Sequence, residues 1–170
     1  PSTAKGKSSS SVTSQSHRPA SLSTPAVDFS AERAMPDVRR IAARPHPVGS
    51  LEHALVQAYL LGRMTDMGLQ PTLQAGVLSP AAVARIEKRG DSARGLRAVN
   101  IVGVLPGRDP ALPAVVMMAH YDSVPGSPGA ADDASGVAAI LEAVRAIKAR
   151  GPAERTLVVL LTDAEELNLD

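Results

Sequence analysis

Two short, almost wholly apolar runs constrain the fold of this chain more than any other feature. They are AVVMMA, residues 114–119, and TLVVLL, residues 156–161. Continuous apolar runs of this length are typical of strands buried on both faces of a sheet. Between them, residues 135–150 place Val, Ile and Leu at helical spacing, and Gly151 and Pro152 then end the helix. A strand, a helix and a strand in this order predict a right-handed βαβ unit with parallel strands.

The pattern upstream extends this unit into an α/β domain with a mostly parallel sheet and flanking helices. Ser30 and Ser50 precede apolar residues at helical spacing, as N-capping residues do. The predicted upstream elements are helices over 30–43 and 50–67, an edge strand over 69–78, an irregular helix or loop over 80–97, and a strand over 97–107.

The N-terminal residues differ in composition from the rest of the chain. Residues 1–26 are rich in Ser, Thr and Pro and contain almost no large apolar side chains. Such a segment cannot bury enough surface to offset its chain entropy. We therefore expect a disordered tail or tether over 1–26 and a domain over 27–170.

Composition excludes several classes of function. There is no cysteine, so the chain contains no disulfide and no thiolate metal ligand. The formal net charge of +1 gives no electrostatic basis for binding nucleic acid or an anionic membrane. No apolar run approaches the ~20 residues of a membrane-spanning helix.

Acidic and histidine side chains follow both predicted buried strands. The carboxyl ends of parallel strands lie at one edge of a sheet, where sites form in α/β folds, so we expect these side chains to converge. They are His120 and Asp122 after the first strand, Asp132 and Asp133 in the loop before the helix, and Asp163, Glu165 and Glu166 after the second strand.

This set of donors predicts a divalent metal site. One imidazole and several carboxylates without thiolate suit Zn²⁺, Mn²⁺ or Co²⁺. A carboxylate can also bridge two metals about 4 Å apart, as in paired-metal hydrolases. Glu165 and Glu166 are adjacent and would point in different directions in extended backbone, so one can bind metal while the other acts as a general base.

Other polar residues are interpreted as structural. His46 lies between two prolines in RPHPVGS, residues 44–50, where a lone histidine is more often structural than a ligand. Glu142 is three residues before Arg145 on the predicted helix, the spacing of a surface ion pair. Acidic pairs before a helix or after a strand are commonly solvated, but their occurrence at neighbouring loops of one sheet edge favours a functional site.

The residues from AHYDSVPGSPGAADDASGVAAILEAVRAI to RTLVVLLTDAEELNL resemble the M28 family of zinc metallopeptidases, which are co-catalytic aminopeptidases and carboxypeptidases. The similarity covers residues 113–169, and RPHPVGS with the helix after it extends the similarity back to about residue 30. The resemblance implies a zinc-exopeptidase fold of the phosphorylase/hydrolase-like type, two zinc ions per complete domain and a peptide substrate.

The resemblance also implies a role for each motif residue. Ser135 and Gly136 would begin a helix that packs closely on the sheet. The remaining roles are His120 as ligand of one metal, Asp132 as bridging ligand, Glu166 as ligand of the other metal, Glu165 as general base, Asp122 as the group that orients the His120 ring, and Asp133 as support of the loop.

The family pattern requires two further ligands. One Asp and one His, one for each metal, follow the Glu pair in the family, and this chain ends at Asp170 before either. We therefore expect residues 27–170 to be the N-terminal part of a peptidase domain truncated at its C-terminus. On their own, these residues are expected to bind metal weakly and not to turn over substrate.

The predicted function is a two-zinc exopeptidase, with an aminopeptidase favoured and a carboxypeptidase as the open alternative within the family. A single-zinc transferase resembling glutaminyl cyclase and a non-catalytic M28-like interaction domain are the alternatives. Non-catalytic relatives typically lose ligands, so the presence of every visible ligand favours an enzyme.

The resemblance also bears on partners and location. RPHPVGS looks most like membrane-tethered members of the family. We therefore expect a membrane-associated or exported protein, with any tether outside these residues, and no nucleic-acid partner.

Overall fold

The two apolar runs form neighbouring parallel strands, and α-helices pack around the sheet that contains them. A computed structural model describes residues 19–167. Its helices and strands, in chain order, are α1 Ala31–Ile41, α2 Leu51–Asp66, β1 Thr72–Val77, α3 Pro80–Lys88, β2 Arg97–Leu105, β3 Val115–His120, α4 Ser135–Ala149 and β4 Leu157–Thr162. A π-helical segment, Ala130–Ala134, precedes α4, and a 3-10 turn, Glu165–Leu167, follows β4.

The four strands lie in the order β1-β2-β4-β3. The parallel pair runs from Val115 opposite Leu157 to His120 opposite Thr162, as the βαβ pattern predicts. The α/β class with flanking helices is confirmed. The expectation of a mostly parallel sheet is wrong for residues 19–167, because β1–β2 and β2–β4 are both antiparallel. The apolar pattern of β2 identifies a strand but does not encode its direction.

Strand β3 is less buried than its sequence predicts. Val116 is 57% exposed and Met118 is 65% exposed. Within the described part of the chain, β3 pairs only with β4 and therefore forms an edge of the sheet. Its last two residues, Ala119 and His120, are buried. The end of β3 that carries the predicted ligand is thus the well-packed end.

The helices cover both faces of the sheet. Ala98 and Ile101 are three positions apart on β2, so they point to opposite faces, and each belongs to a separate hydrophobic cluster. Residues of α1, α2 and α4 pack with Ile101, while residues of α3 pack with Ala98. Gly103 allows α2 to approach closely, since a Cβ there would lie 2.5 Å from Met64 Cε.

Serine side chains begin the first three helices. Ser30 Oγ accepts a hydrogen bond from Arg33 N and Ser50 Oγ accepts one from His53 N, as the N-cap predictions require. Ser79 caps α3 in the same way, which resolves the irregular region 80–97 as a helix followed by a loop.

Glu142 lies at the centre of a buried ion cluster. The predicted ion pair forms, with Arg145 Nε 2.6 Å from Glu142 Oε2. Its placement on the surface is wrong: Glu142 is 4% exposed and also accepts hydrogen bonds from Ser30 N and Arg33 Nε. Burial acts to raise the pKa of Glu142, but these three donors outweigh it and lower that pKa. The helical spacing shows the Arg145 contact and cannot show that α1 packs over it.

The segment before α1 is held by the same arginines. Arg33 donates to the carbonyl oxygens of Leu22 and Thr24, and Arg145 donates to that of Ala26. Residues 19–26, which composition assigns to the tail, thus contact α1 and α4. Residues 1–18 lie outside the described residues, and their disorder stays a prediction. Across residues 19–167, no helix has both the length and the apolarity of a membrane span.

We expect Glu142→Ala to lower the free energy of unfolding by about 3 kcal/mol, because it leaves two arginines and a buried N–H without their acceptor. Glu52→Ala is the matched control. It breaks the more exposed pair with Arg40, 3.6 Å apart, and should cost less than about 1 kcal/mol. Urea denaturation measures both, and equal losses would contradict a buried cluster at Glu142.

Candidate metal centre

Three of the predicted ligands meet beyond the carboxyl ends of β3 and β4. His120 ends β3, Asp132 lies in the segment before α4, and Glu166 lies in the turn after β4. One ligand atom from each of these residues lies within 4.8 Å of one atom from each of the others. The convergence follows from the parallel β3–β4 pairing, which places His120 directly opposite Thr162.

The His120 ring is oriented by contacts at both nitrogens. Nδ1 lies 3.1 Å from the backbone oxygen of Asp122 and 3.4 Å from its carboxylate Oδ1, while Nε2 lies 2.9 Å from Asp132 Oδ1. Hydrogen bonding to Asp122 is the largest cause that raises the pKa of His120. Asp132 and Glu165 add to it against the opposing effect of burial, so the pKa reaches about 10. The imidazole therefore lies among anionic acceptors.

Asp122 also has a role that the sequence does not indicate. The interpretation from sequence is that it orients His120, and its nearest contact to that ring is through the backbone oxygen. Asp122 is 1% exposed, and its carboxylate accepts hydrogen bonds from Glu165 N and Glu166 N at 3.1 Å each. Asp122 thus ties the end of β3 to the turn that follows β4.

The two glutamates project differently from a tight turn. The expectation of extended backbone is wrong, because residues 165–167 form a 3-10 turn. Glu165 is exposed, with its Oε2 3.9 Å from His120 Nε2, whereas Glu166 is partly buried. Burial first, and then the charge of Asp132, raise the pKa of Glu166. The geometry leaves Glu165 facing solvent beside His120, Asp132 and Glu166, which together form the ligand group.

Asp133 contacts the helix rather than the ligand group. Its Oδ1 accepts a hydrogen bond from Gly136 N at 3.0 Å, next to the first residue of α4. A Cβ at Gly136 would collide with this carboxylate, so the glycine permits the contact. The Asp132–Asp133 peptide bond is cis. These contacts agree with a supporting role for Asp133.

Asp163 does not join the ligand group, in contrast to the expectation that every acidic residue after β4 converges there. Its Oδ1 lies 2.7 Å from His53 Nε2, and its Oδ2 accepts a hydrogen bond from Val99 N. No motif in the sequence singles out His53. The signal is present nonetheless, since His53 is in helical register with the buried residues Val56, Leu60 and Met64.

His46 has the surroundings of a structural residue. It is 1% exposed, its Nδ1 lies 2.9 Å from the backbone oxygen of Arg44, and its backbone N–H donates to Ser123 Oγ. These contacts fix the RPHPVGS turn against the strand end at His120–Ser123.

The ligand group fits a metal cation by its donor chemistry. With Nδ1 facing the backbone oxygen of Asp122, His120 Nε2 is the nitrogen directed at Asp132. Metal-binding histidines commonly use the second nitrogen in this way. Asp132 and Glu166 add carboxylate oxygens. Neighbouring carboxylates raise the pKa of His120, and burial followed by the charge of Asp132 raises that of Glu166, so the group carries negative charge that a cation would neutralise.

Comparison with known sequences agrees with the motifs. Residues 100–170 match the model of peptidase family M28. The chain is 32% identical over 134 residues to a vacuolar membrane protease of Schizophyllum commune, a match that covers 79% of this chain and 15% of the relative. The chain thus spans a small part of the length of that relative.

Solved structures share the fold, and the chain covers about half of each. A leucine aminopeptidase precursor from Bacteroides thetaiotaomicron matches with a TM-score of 0.63 and 25% identity, covering 83% of this chain and 49% of that one. Tannerella forsythia glutaminyl cyclase matches with a TM-score of 0.62 and 26% identity, covering 80% and 47%. The resemblance in sequence to peptidase family M28 is confirmed by the match of residues 100–170 to that family's model.

Proposed function

We propose that this chain is part of a metal-dependent exopeptidase that removes N-terminal residues from peptides. The observation that carries the proposal is the meeting of His120, Asp132 and Glu166 within 4.8 Å, with Glu165 beside them. The match to peptidase family M28 supports hydrolysis of a peptide bond as the reaction.

The proposed cofactor is a pair of zinc ions. His120 would hold one ion, Glu166 the other, and Asp132 would bridge both with its two oxygens. Zinc ions bound in this way supply the Lewis acidity that polarises a peptide carbonyl and lowers the pKa of water. Asp122 would fix the positions of His120 and Glu166 relative to each other, because it contacts the ring of His120 and the backbone N–H of Glu166.

Glu165 is the proposed general base. Its carboxylate would take a proton from the water that attacks the carbonyl carbon. It would then deliver that proton to the leaving nitrogen as the C–N bond breaks. The exposed side chain of Glu165 leaves room for a substrate, and the hydrogen bond from its N–H to Asp122 fixes its backbone.

A glutaminyl cyclase-like transferase with one zinc is the second candidate. The likeness to Tannerella forsythia glutaminyl cyclase, at 26% identity, is the observation that favours it. The relative at 32% identity is named a protease, which favours the peptidase. Since the cyclase-like alternative uses one metal, the metal count separates the two.

We also propose that the protein acts on peptides at a membrane or outside the cytoplasm. The curated relative is named a vacuolar membrane protease. The resemblance of the RPHPVGS region to membrane-tethered members of the family points the same way.

Full-length protein purified with zinc and then desalted is expected to hold two metals per chain, measured by mass spectrometry of the metal. Asp132→Ala should lose one or both, because it removes the bridging carboxylate. Asp133→Asn is the matched control: it keeps an acceptor for Gly136 N and should retain both metals. One metal would favour the cyclase-like reaction, and no metal would contradict both enzymatic proposals.

Glu165→Gln is expected to keep both metals and lower kcat by about 10²–10⁴-fold on aminoacyl p-nitroanilides, with little change in KM, because it removes the proton acceptor. Glu154→Gln, an exposed position before β4, should behave as wild type. Full activity of Glu165→Gln would remove the general-base assignment.

Zinc affinity should rise with pH by about tenfold per unit between pH 6.5 and 8, since metal binding requires the neutral imidazole. The pKa of His120, raised to about 10 without metal, means that the ring carries a proton throughout this range and releases it on binding. Calorimetry in buffers with different ionisation enthalpies measures the released proton. A binding enthalpy independent of the buffer would contradict this account.

A further inference from the structure

A second set of polar side chains, three of them buried, contacts segments that carry the ligands and has no part in the proposed chemistry. It consists of His53 and Gln57 on α2, Tyr121 after β3 and Asp163 after β4. We propose that His53 is a positioning residue of the metal centre, which fixes the Glu165–Leu167 turn through Asp163 and the His120–Asp122 segment through Tyr121. The proposal rests on the proposed function.

The first connection runs from His53 to Asp163. Asp163 is 2% exposed and follows the point where the β2–β4 ladder ends, at Ile101 opposite Leu161. Its Oδ2 accepts a hydrogen bond from Val99 N at 2.8 Å, which continues the contact between the two strands by a side chain. Oδ1 accepts one from Ala164 N at 2.8 Å. Both oxygens act as acceptors, so the 2.7 Å contact to His53 Nε2 is a hydrogen bond that the imidazole donates.

Ala164 makes this anchoring necessary. Its φ of +66° lies in the left-handed region, which is unfavourable for a residue other than glycine. The conformation turns the chain sharply after β4, immediately before Glu165 and Glu166. The hydrogen bond from Ala164 N to Asp163 compensates for part of this cost, and His53 holds the Asp163 carboxylate in place for it. A change at His53 is therefore transmitted to the turn.

The second connection runs from His53 to Tyr121. The two rings are stacked, with centroids 5.1 Å apart and planes at 16°. Tyr121 lies between His120 and Asp122 in sequence, and its hydroxyl donates to the backbone oxygen of Val99 at 2.7 Å. The same hydroxyl accepts a hydrogen bond from Gln57 Nε2 at 2.8 Å. Gln57 is four residues after His53, so one face of α2 contacts the supports of two of the three ligand-bearing segments.

A purely structural histidine would give a different result from a positioning residue. Loss of a buried hydrogen bond lowers the stability of any protein, whatever its position. Loss of a group that orients metal ligands also lowers metal affinity, typically by 10–100-fold. The two roles are separated by metal affinity measured in folded variants of comparable stability.

The experiment uses the full-length protein and Co²⁺, whose visible absorption reports the ligand geometry. His53→Phe keeps a ring against Tyr121 and removes the donor to Asp163. We expect it to weaken Co²⁺ binding by about 10–100-fold and to alter the Co²⁺ spectrum. His53→Gln places an amide N–H near the position of Nε2 and should stay within about threefold of wild type.

Tyr59→Phe is the matched control. It lies on the same helix and removes a hydrogen bond to the buried Asp37, which does not contact the ligand group. It should lower stability and leave Co²⁺ affinity unchanged. Equal losses of affinity in Tyr59→Phe and His53→Phe, or unchanged affinity in folded His53→Phe, would overturn the proposal. If His53→Phe does not fold, His53→Leu carries the same expectation.

Amide hydrogen exchange in the metal-free protein keeps this proposal separate from the proposed function. His53→Phe should speed exchange at Glu165 and Glu166 relative to Tyr59→Phe, because their N–H groups depend on the position of the turn. Wild-type protein that binds no Co²⁺ would contradict the proposed function, and exchange would then decide the role of His53 alone. Identical exchange in the two variants would overturn that role.

Discussion

The hydrogen bonds from the N–H groups of Glu165 and Glu166 to the Asp122 carboxylate are the interaction on which the site depends. They join two segments that lie more than forty residues apart in sequence and that meet only because β3 and β4 are parallel neighbours. A buried carboxylate is stable in such a place when donors satisfy its oxygens. The same residue presents its backbone oxygen to His120 Nδ1, so one aspartate sets the positions of an imidazole and of both glutamates.

The carboxylates at the ligand group accept fewer hydrogen bonds than the buried carboxylates around them. Asp122, Asp163 and Glu142 are buried, and each accepts several hydrogen bonds. Asp132 and Glu165, by contrast, have side chains that are 80% and 62% exposed. The structure thus separates carboxylates that hold the fold from carboxylates that remain available. Available carboxylates beside an imidazole are the ligands that a divalent cation requires, once the imidazole has released its proton.

Periodicity was sufficient to predict the βαβ unit, the capped helices and the sheet edge at which ligands gather. Strand direction was not predictable, because the apolar pattern of β2 is the same whichever way its partner runs. The burial of Glu142 depends on α1 packing over α4, a contact between residues more than a hundred positions apart. The roles of His53 and of the Asp122 carboxylate depend likewise on distant backbone groups, which no local spacing reveals.

Anomalous diffraction at the zinc absorption edge, from crystals of the full-length protein grown with zinc, would locate the metals directly. We expect two peaks of anomalous density, one about 2.0–2.2 Å from His120 Nε2 and the other at a similar distance from a carboxylate oxygen of Glu166, with Asp132 contacting both. The Asp122 contacts to Glu165 and Glu166 should be retained. Zinc bound elsewhere, with His120 still in direct contact with Asp132, would contradict this expectation.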